Sequence, residues 1–350
     1  MPFELLIAGV MMVALSLYAL MAGADFGGGV WDLLASGPRR DQQRALIEKA
    51  IGPIWEANHV WLILVIVLLF GTFPPAFSAI SIALHIPLVV FMVGVVFRGS
   101  AFTFRAYDAR GDRQQKRWGL LFSLASVASP VVLGMVVGAL ASGSIHVEDG
   151  VVTSGFVATW LAPFPILVGL FALGLFAFLA ATYLANEAHT PELADDFRGR
   201  AMIAGAVVGG LALATFAASF KGAPLIQRGL TDRPWTWPFH LATGTAALTA
   251  FWALWKRRLR VARVAAIAQT TLILAGWAVS QYPYLVVPDL TLQSAAANPR
   301  TQKAVLVALA IGSVVLFPSL YLLYRVFKPG PLNLGREGEK PFKAPEGRGS

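Results

Sequence analysis

An all-α polytopic membrane protein with nine transmembrane helices is the fold class this sequence predicts, and three observations predict it. Hydrophobic residues make up 57% of the 350 and charged ones only 13%, and the mean hydropathy is +0.65, which is too apolar for a soluble chain of this length. The apolar residues fall into nine runs, roughly 3–23, 54–70, 76–97, 118–141, 157–184, 201–219, 236–255, 262–280 and 303–326, each near the ~20 residues that carry a helix across about 30 Å of hydrocarbon. The basic residues are segregated, with 23 of the 28 Lys and Arg in connections on one side. That side is read as cytoplasmic, with the N-terminus outside and the C-terminus inside.

The same composition excludes several classes. The chain has no cysteine, so disulfides, iron–sulfur ligation and thiolate metal sites are out. The net charge of +9 comes from residues that fix membrane orientation, and nucleic-acid binding is not expected. The first apolar run lacks a basic leading segment and passes into glycine-rich sequence, so it reads as a retained span. Residues 1–328 are expected to form a single transmembrane domain, and the Gly-, Pro- and charge-rich segment 329–350 a disordered cytoplasmic tail.

In the first span, Asp25 is followed by Phe26 and by Gly27, Gly28 and Gly29. Three consecutive glycines weaken a helix unless another backbone or a polar group must approach closely. Measured down the helix from Phe3, Asp25 falls about 33 Å in, near the cytoplasmic edge. It reads either as the mouth of a polar route or as an interfacial cap with a glycine turn.

The second span opens with Trp55, Glu56, Asn58, His59 and Trp61, an acid, an amide and an imidazole inside an apolar helix, where such groups are costly. Pro53 suits its first turn. Glu56 lies about 21 Å down the helix from Phe70 and about 12 Å deeper than Asp25 on the same helix coordinate. Glu56 and His59, three residues apart, can share a face. They read as a protonatable station with its hydrogen-bond partner, or as a buried polar cluster fastening two helices.

The third span carries His85 near mid-membrane and, at its cytoplasmic end, Arg98 and Arg105. A lone His without a second axial partner reads as a hydrogen-bonded core residue, not a haem ligand. Arg98 reads as snorkelling to headgroups, the commoner fate of such a residue, or as pairing with Asp25 or Glu56. The basic 98–117 connection faces lipid headgroups, 142–153 is a solvated loop, and 185–200 holds a short helix at most. Trp235 and Trp237 suit an interfacial aromatic belt, and His240 a satisfied polar contact. Pro283 and Pro288 disfavour helix and strand through the 281–291 loop, which must rest on something. On these residues alone, a proton-coupled transporter is the alternative to a subunit of a larger membrane enzyme.

Four stretches taken together, Gly23 to Gly29, Trp55 to Leu62, Phe97 to Arg105 and Tyr282 to Pro288, resemble subunit II of the cytochrome bd quinol oxidases, cyanide-insensitive variants included. The resemblance runs through all nine spans. It implies two four-helix bundles plus a peripheral helix, paired with a haem-bearing subunit I and, in some members, a small single-helix accessory subunit in the bacterial inner membrane. The partner carries the b and d haems and the quinol site, no catalytic residue or cofactor is assigned to this chain, and the complex reduces dioxygen to water. The resemblance further implies that the acids Asp25 and Glu56 serve a cytoplasmic proton route, with His59 read as the hydrogen-bond partner of Glu56, and that Trp55, Asn58, Trp61, the three glycines, Arg98, Arg105, Pro283 and Pro288 are motif and packing positions. This chain departs from the pattern at Ala22, where many members have an acid, and at Glu56 and His59, where many have Asp and Gln.

Overall fold

The computed structural model describes residues 2–52, 55–107 and 112–327. Pro53 and the 329–350 tail lie outside the described residues. The chain divides into two compact units, Met1–Leu306 and Val307–Ser350.

The architecture is helical, as the apolar runs require. Helix α1 spans Phe3–Leu33, ten residues past its expected end. It is followed by an amphipathic helix α2 (Arg40–Ile51), the one-turn helix α3 (Trp55–Asn58) and α4 (Val60–Thr72). The third predicted span is two helices, α5 (Pro74–Ala83) and α6 (His85–Tyr107). The break has a local cause: Pro87 has no N–H for the carbonyl of Ala83 and its ring crowds that carbonyl, so α5 ends there. Helix α7 covers Asp112–Ser142, α8 Pro163–Glu187 and α9 Pro191–Gly222. The expectation of a short helix at most in 185–200 is corrected by α9, whose N-cap Thr190 accepts from the Leu193 N–H at 3.3 Å, with Pro191 in the first turn. The remaining helices of the first unit are α10 (Pro224–Thr231), α11 (Thr236–Trp255) and α12 (Leu259–Gln281), and α13 (Pro299–Phe327) continues into the second.

Among the described residues, eight helices are long and apolar enough to cross a membrane. The protein is therefore a multi-pass membrane protein. The predicted seventh span is present as α11, but four threonines and His240 within its 20 residues dilute its hydropathy and it is not one of the eight.

Two small hairpins cap the end opposite the basic connections. Strands β1 (Val147–Glu148) and β2 (Val151–Val152) pair antiparallel around Asp149 and Gly150, whose φ values of 50° and 78° suit the tight turn. Strands β3 (Tyr284–Val286) and β4 (Leu290–Thr291) form the second, correcting the expectation that this loop holds no strand: Pro283 and Pro288 flank β3 without interrupting its ladder. The loop rests on its own chain. Val286 and Val287 are buried, Asp289 accepts from the Val147 N–H at 2.8 Å, and the Ala297 N–H donates to Thr72 O at 2.8 Å.

Helix α1 sits at the centre of the first unit, against α4, α7, α8 and α12. Its glycines explain the position. A Cβ on Gly27 would strike the backbone carbonyl of Phe176 on α8, one on Gly28 would meet Ile51 of α2, and one on Gly29 would strike Ser126 of α7. Successive residues turn ~100° around a helix, so three glycines in a row admit three neighbours at one level. The glycine-turn reading of this segment is thereby corrected.

Candidate functional site: a polar cluster between four helices

The close approach made by these glycines encloses a group of polar side chains. Asp25 is 6% exposed, and its Oδ2 accepts from Asn58 Nδ2 at 2.6 Å. Arg98 is 1% exposed. Its Nε donates to Ser126 Oγ at 3.1 Å, its guanidinium lies 4.9 Å from the Phe26 ring centroid, 5.3 Å from Phe122 and 5.8 Å from Trp55, and it attracts Asp25 electrostatically. A buried charge persists when paired and hydrogen-bonded, and the aromatic faces add cation–π attraction. Of the two readings of Arg98, snorkelling is corrected and a place beside Asp25 is what its burial supports. The Trp55 ring occupies the space a side chain at Gly99 would fill.

His59 joins the same cluster through its ring. Nδ1 lies 3.5 Å from the Tyr18 hydroxyl, and the ring meets Phe26 and Trp55 edge-on. It is not paired with Glu56. Asn58, which faces α1, is two residues on from Glu56 and so rotated ~200° from it; Asn58 and Trp61 point inward while Glu56 is exposed. Among the described residues the Glu56 carboxylate has no hydrogen-bond or ion-pair partner. It borders a shallow notch with Trp55, Val96, Gly99, Ser100 and Thr103, on a surface that also exposes Val60, Ile63, Val67, Val93 and Phe104.

The expected depth order changes as well. Asp25 was placed some 12 Å shallower than Glu56 on the assumption that the first span begins at the bilayer edge and ends near residue 23. The contact with Asn58 puts Asp25 at the level of the second span's first turns, because α1 runs on to Leu33 and places Asp25 two turns before its end. Arg105 falls within α6, and its side chain lies outside what the structure describes.

Two further groups went unnoticed in the sequence. Asp32, 1% exposed, accepts from Ser123 Oγ at 2.9 Å and has Arg44 Nε 3.8 Å from its carboxylate. At the cytoplasmic end by the charge reading, Arg39 and Gln43 clasp Asp196, with Arg39 Nε at 2.8 Å from Oδ2. The spacing of seven residues between Asp25 and Asp32, two helical turns, was the available signal for the first. His85 and His240 lie elsewhere, each bonded to a backbone carbonyl, Ile82 O and Leu230 O, and the reading of His85 as a core residue is corrected, since it is exposed at the start of α6. Among the described residues no group of three or more His, Asp or Glu side chains gathers that could hold a metal ion.

A cavity lies beside this cluster and reaches it at Tyr18. It has a volume of about 700 Å³ and is bordered by Tyr18, Gly138, Phe171, Phe239 and Trp277 among others.

The sequence model of cytochrome bd terminal oxidase subunit II matches residues 3–327. The chain belongs to this family. It is 22% identical over 320 residues to the putative cytochrome bd menaquinol oxidase subunit II of Bacillus subtilis, across 89% of this chain and 91% of that one. It is 26% identical over 182 residues to cytochrome bd-I ubiquinol oxidase subunit 2 of Escherichia coli, across 51% of this chain and 46% of that relative. A chain in the structure of the bd oxidase from Geobacillus thermodenitrificans superposes with a TM-score of 0.74 at 23% identity, covering 94% of this chain and all of that one, and shares the fold. Within the family, this chain is thus a bd-type oxidase subunit, and membership implies a partner subunit.

Proposed function

We propose that this chain is the haem-free subunit II of a quinol:oxygen oxidoreductase in the bacterial inner membrane, and that it passes cytoplasmic protons to the haem-bearing subunit I. In this reading it crosses nine times, α11 included, as two four-helix bundles and a peripheral helix, with its N-terminus outside. Haems b and d and the quinol site belong to the partner, and their redox chemistry is the partner's.

The observation that carries the proposal is the pair of environments for two acids at one level. Asp25 is enclosed with Asn58 and Arg98, whereas the Glu56 carboxylate stands unpartnered among the described residues on an apolar face. A carboxyl on a lipid-level face is costly unless it is functional or covered, so that face is assigned to subunit I. Asp25 serves as the inner station, held by Asn58 and by the positive field of Arg98. Glu56 hands the proton across the subunit boundary, and His59 with Tyr18 walls the cluster.

Replacing Glu56 with Gln keeps shape and removes the ionisable proton. The assembled Glu56→Gln oxidase should keep its haem content and lose about tenfold in oxygen-reduction rate. Full turnover in that variant would end this role for Glu56.

A further inference from the structure

We infer that Asp32 is the cytoplasmic proton acceptor of this subunit, and that serines of α7 link it to Asp25. The inference rests on the proton-supply reading and extends it to a residue that the motif positions do not include.

Asp32 sits on α1 seven residues after Asp25, so both face the same side of the helix, about 10 Å apart along its axis. The carboxylate is enclosed, yet its charged neighbour is at the boundary: Arg44 on α2 is 27% exposed in its side chain while that of Asp32 is 2% exposed. Arg44 also approaches the Asp32 backbone carbonyl, with Nη2 at 3.3 Å. An arginine on a short amphipathic helix can swing toward water without disturbing a membrane helix. That arrangement allows the carboxylate to exchange protons with the cytoplasm.

Between the two acids runs a line of hydroxyls. Ser123, Ser126 and Ser129 follow at three-residue spacing on α7, all three buried, which puts them along one face. Ser123 donates to Asp32. Ser126 accepts from Arg98 and packs where Gly29 lacks a side chain. Ser129 fills the equivalent space at Gly94 of α6, and its hydroxyl has no hydrogen-bond partner among the described residues, nor does Arg98 Nη2. Buried polar atoms are nearly always satisfied. Two that are not, Ser129 and Arg98, each next to a glycine-made approach, mark a stretch suited to bridging water. About three waters at ordinary hydrogen-bond spacing of ~2.8 Å cover the interval between the acids.

The step balances without a further reagent. The Asp32 carboxylate takes a proton from cytoplasmic water, passes it along the hydroxyl and water line to Asp25, and returns to the anion. Arg98 places a positive charge beside Asp25. This also answers the absence of an acid at Ala22: the acid nearest the cytoplasm lies further along the same helix.

The test uses the purified oxidase complex containing this chain with Asp32→Asn, Asp32→Glu and Ser123→Ala. Oxygen consumption at saturating quinol and dye-detected proton uptake are read beside haem content. Asp32→Asn should slow both at least fivefold with haem content unchanged, Asp32→Glu should restore at least half, and Ser123→Ala should slow both two- to threefold. Arg39→Gln, which removes a cytoplasmic ion pair outside the line, should leave both unchanged. Normal proton uptake in Asp32→Asn, while Glu56→Gln and Asp25→Asn are slow, overturns the role of Asp32 and leaves the subunit's proton function standing. Normal uptake in all three overturns that function itself. If Asp32→Asn fails to assemble, Ser123→Ala decides, and unchanged uptake there is likewise contrary.

Discussion

Two regions of the first unit face each other across α1 and are built on opposite terms. On the side of α3, α6 and α7, small residues let helices close on one another and the space between them is filled by Asp25, Asn58, Arg98 and Ser126. Between residues 130–141 of α7 and helices α8 through α12 the lining is apolar and aromatic, and a cavity of about 700 Å³ remains. The difference lies in what fills the space: charge and hydrogen bonds on one side, apolar contact on the other. A buried ion pair is often no more stabilising than apolar side chains of the same volume, so in the proposed function the enclosed charges are kept for proton transfer, whereas the apolar side can stay loosely filled.

The largest effect should come from breaking the tight side at its backbone. In Gly29→Val the new side chain meets Cβ and Oγ of Ser126 on α7, which the helix backbone holds in place, and the variant should fail to accumulate as folded subunit in membranes. Next is Arg98→Met, which keeps bulk but leaves Asp25 without its positive neighbour. Losing one partner of a buried pair costs on the order of 3 kcal/mol, and a thermal melt of the complex in detergent should show a clear drop. The smallest effect belongs to the loose side. Ala212→Leu projects into the cavity and should alter stability by no more than about 1 kcal/mol, read by the same melt. A drop as large as that of Arg98→Met would abolish the contrast between the two sides.

Much of the fold was legible because long apolar runs and segregated charge are strong signals. The places where the reading slipped have identifiable causes. Hydropathy marks what lipid requires and not where a helix stops, so α1 and α9 each continue some ten residues beyond their apolar cores. The break after Ala83 was legible from Pro87.

The site was half legible. Residue type singled out Asp25, Glu56 and His59, and Asn58 and Arg98 as motif positions, but which of them meet depends on the rotation and depth of two helices. Both were estimated from span ends that were wrong by several residues. One side effect is that Glu56 and His59 were paired by spacing, while the structure turns His59 toward Tyr18 and Phe26 and leaves Glu56 outside. Asp32 was hidden because a carboxylate beside a polar connection looks like an ordinary helix-end residue until Ser123 and Arg44 are seen closing over it.

The central claim is that the enclosed acid of α1 carries protons and does not merely hold helices together. Asp25→Asn separates the two, since an amide can still accept from Asn58 through its oxygen but cannot donate and regain a proton. Measured in the assembled oxidase with haem content as the control, oxygen reduction should fall at least tenfold with proton uptake falling in step. Turnover within twofold of the unmodified enzyme, at full assembly, would contradict the account.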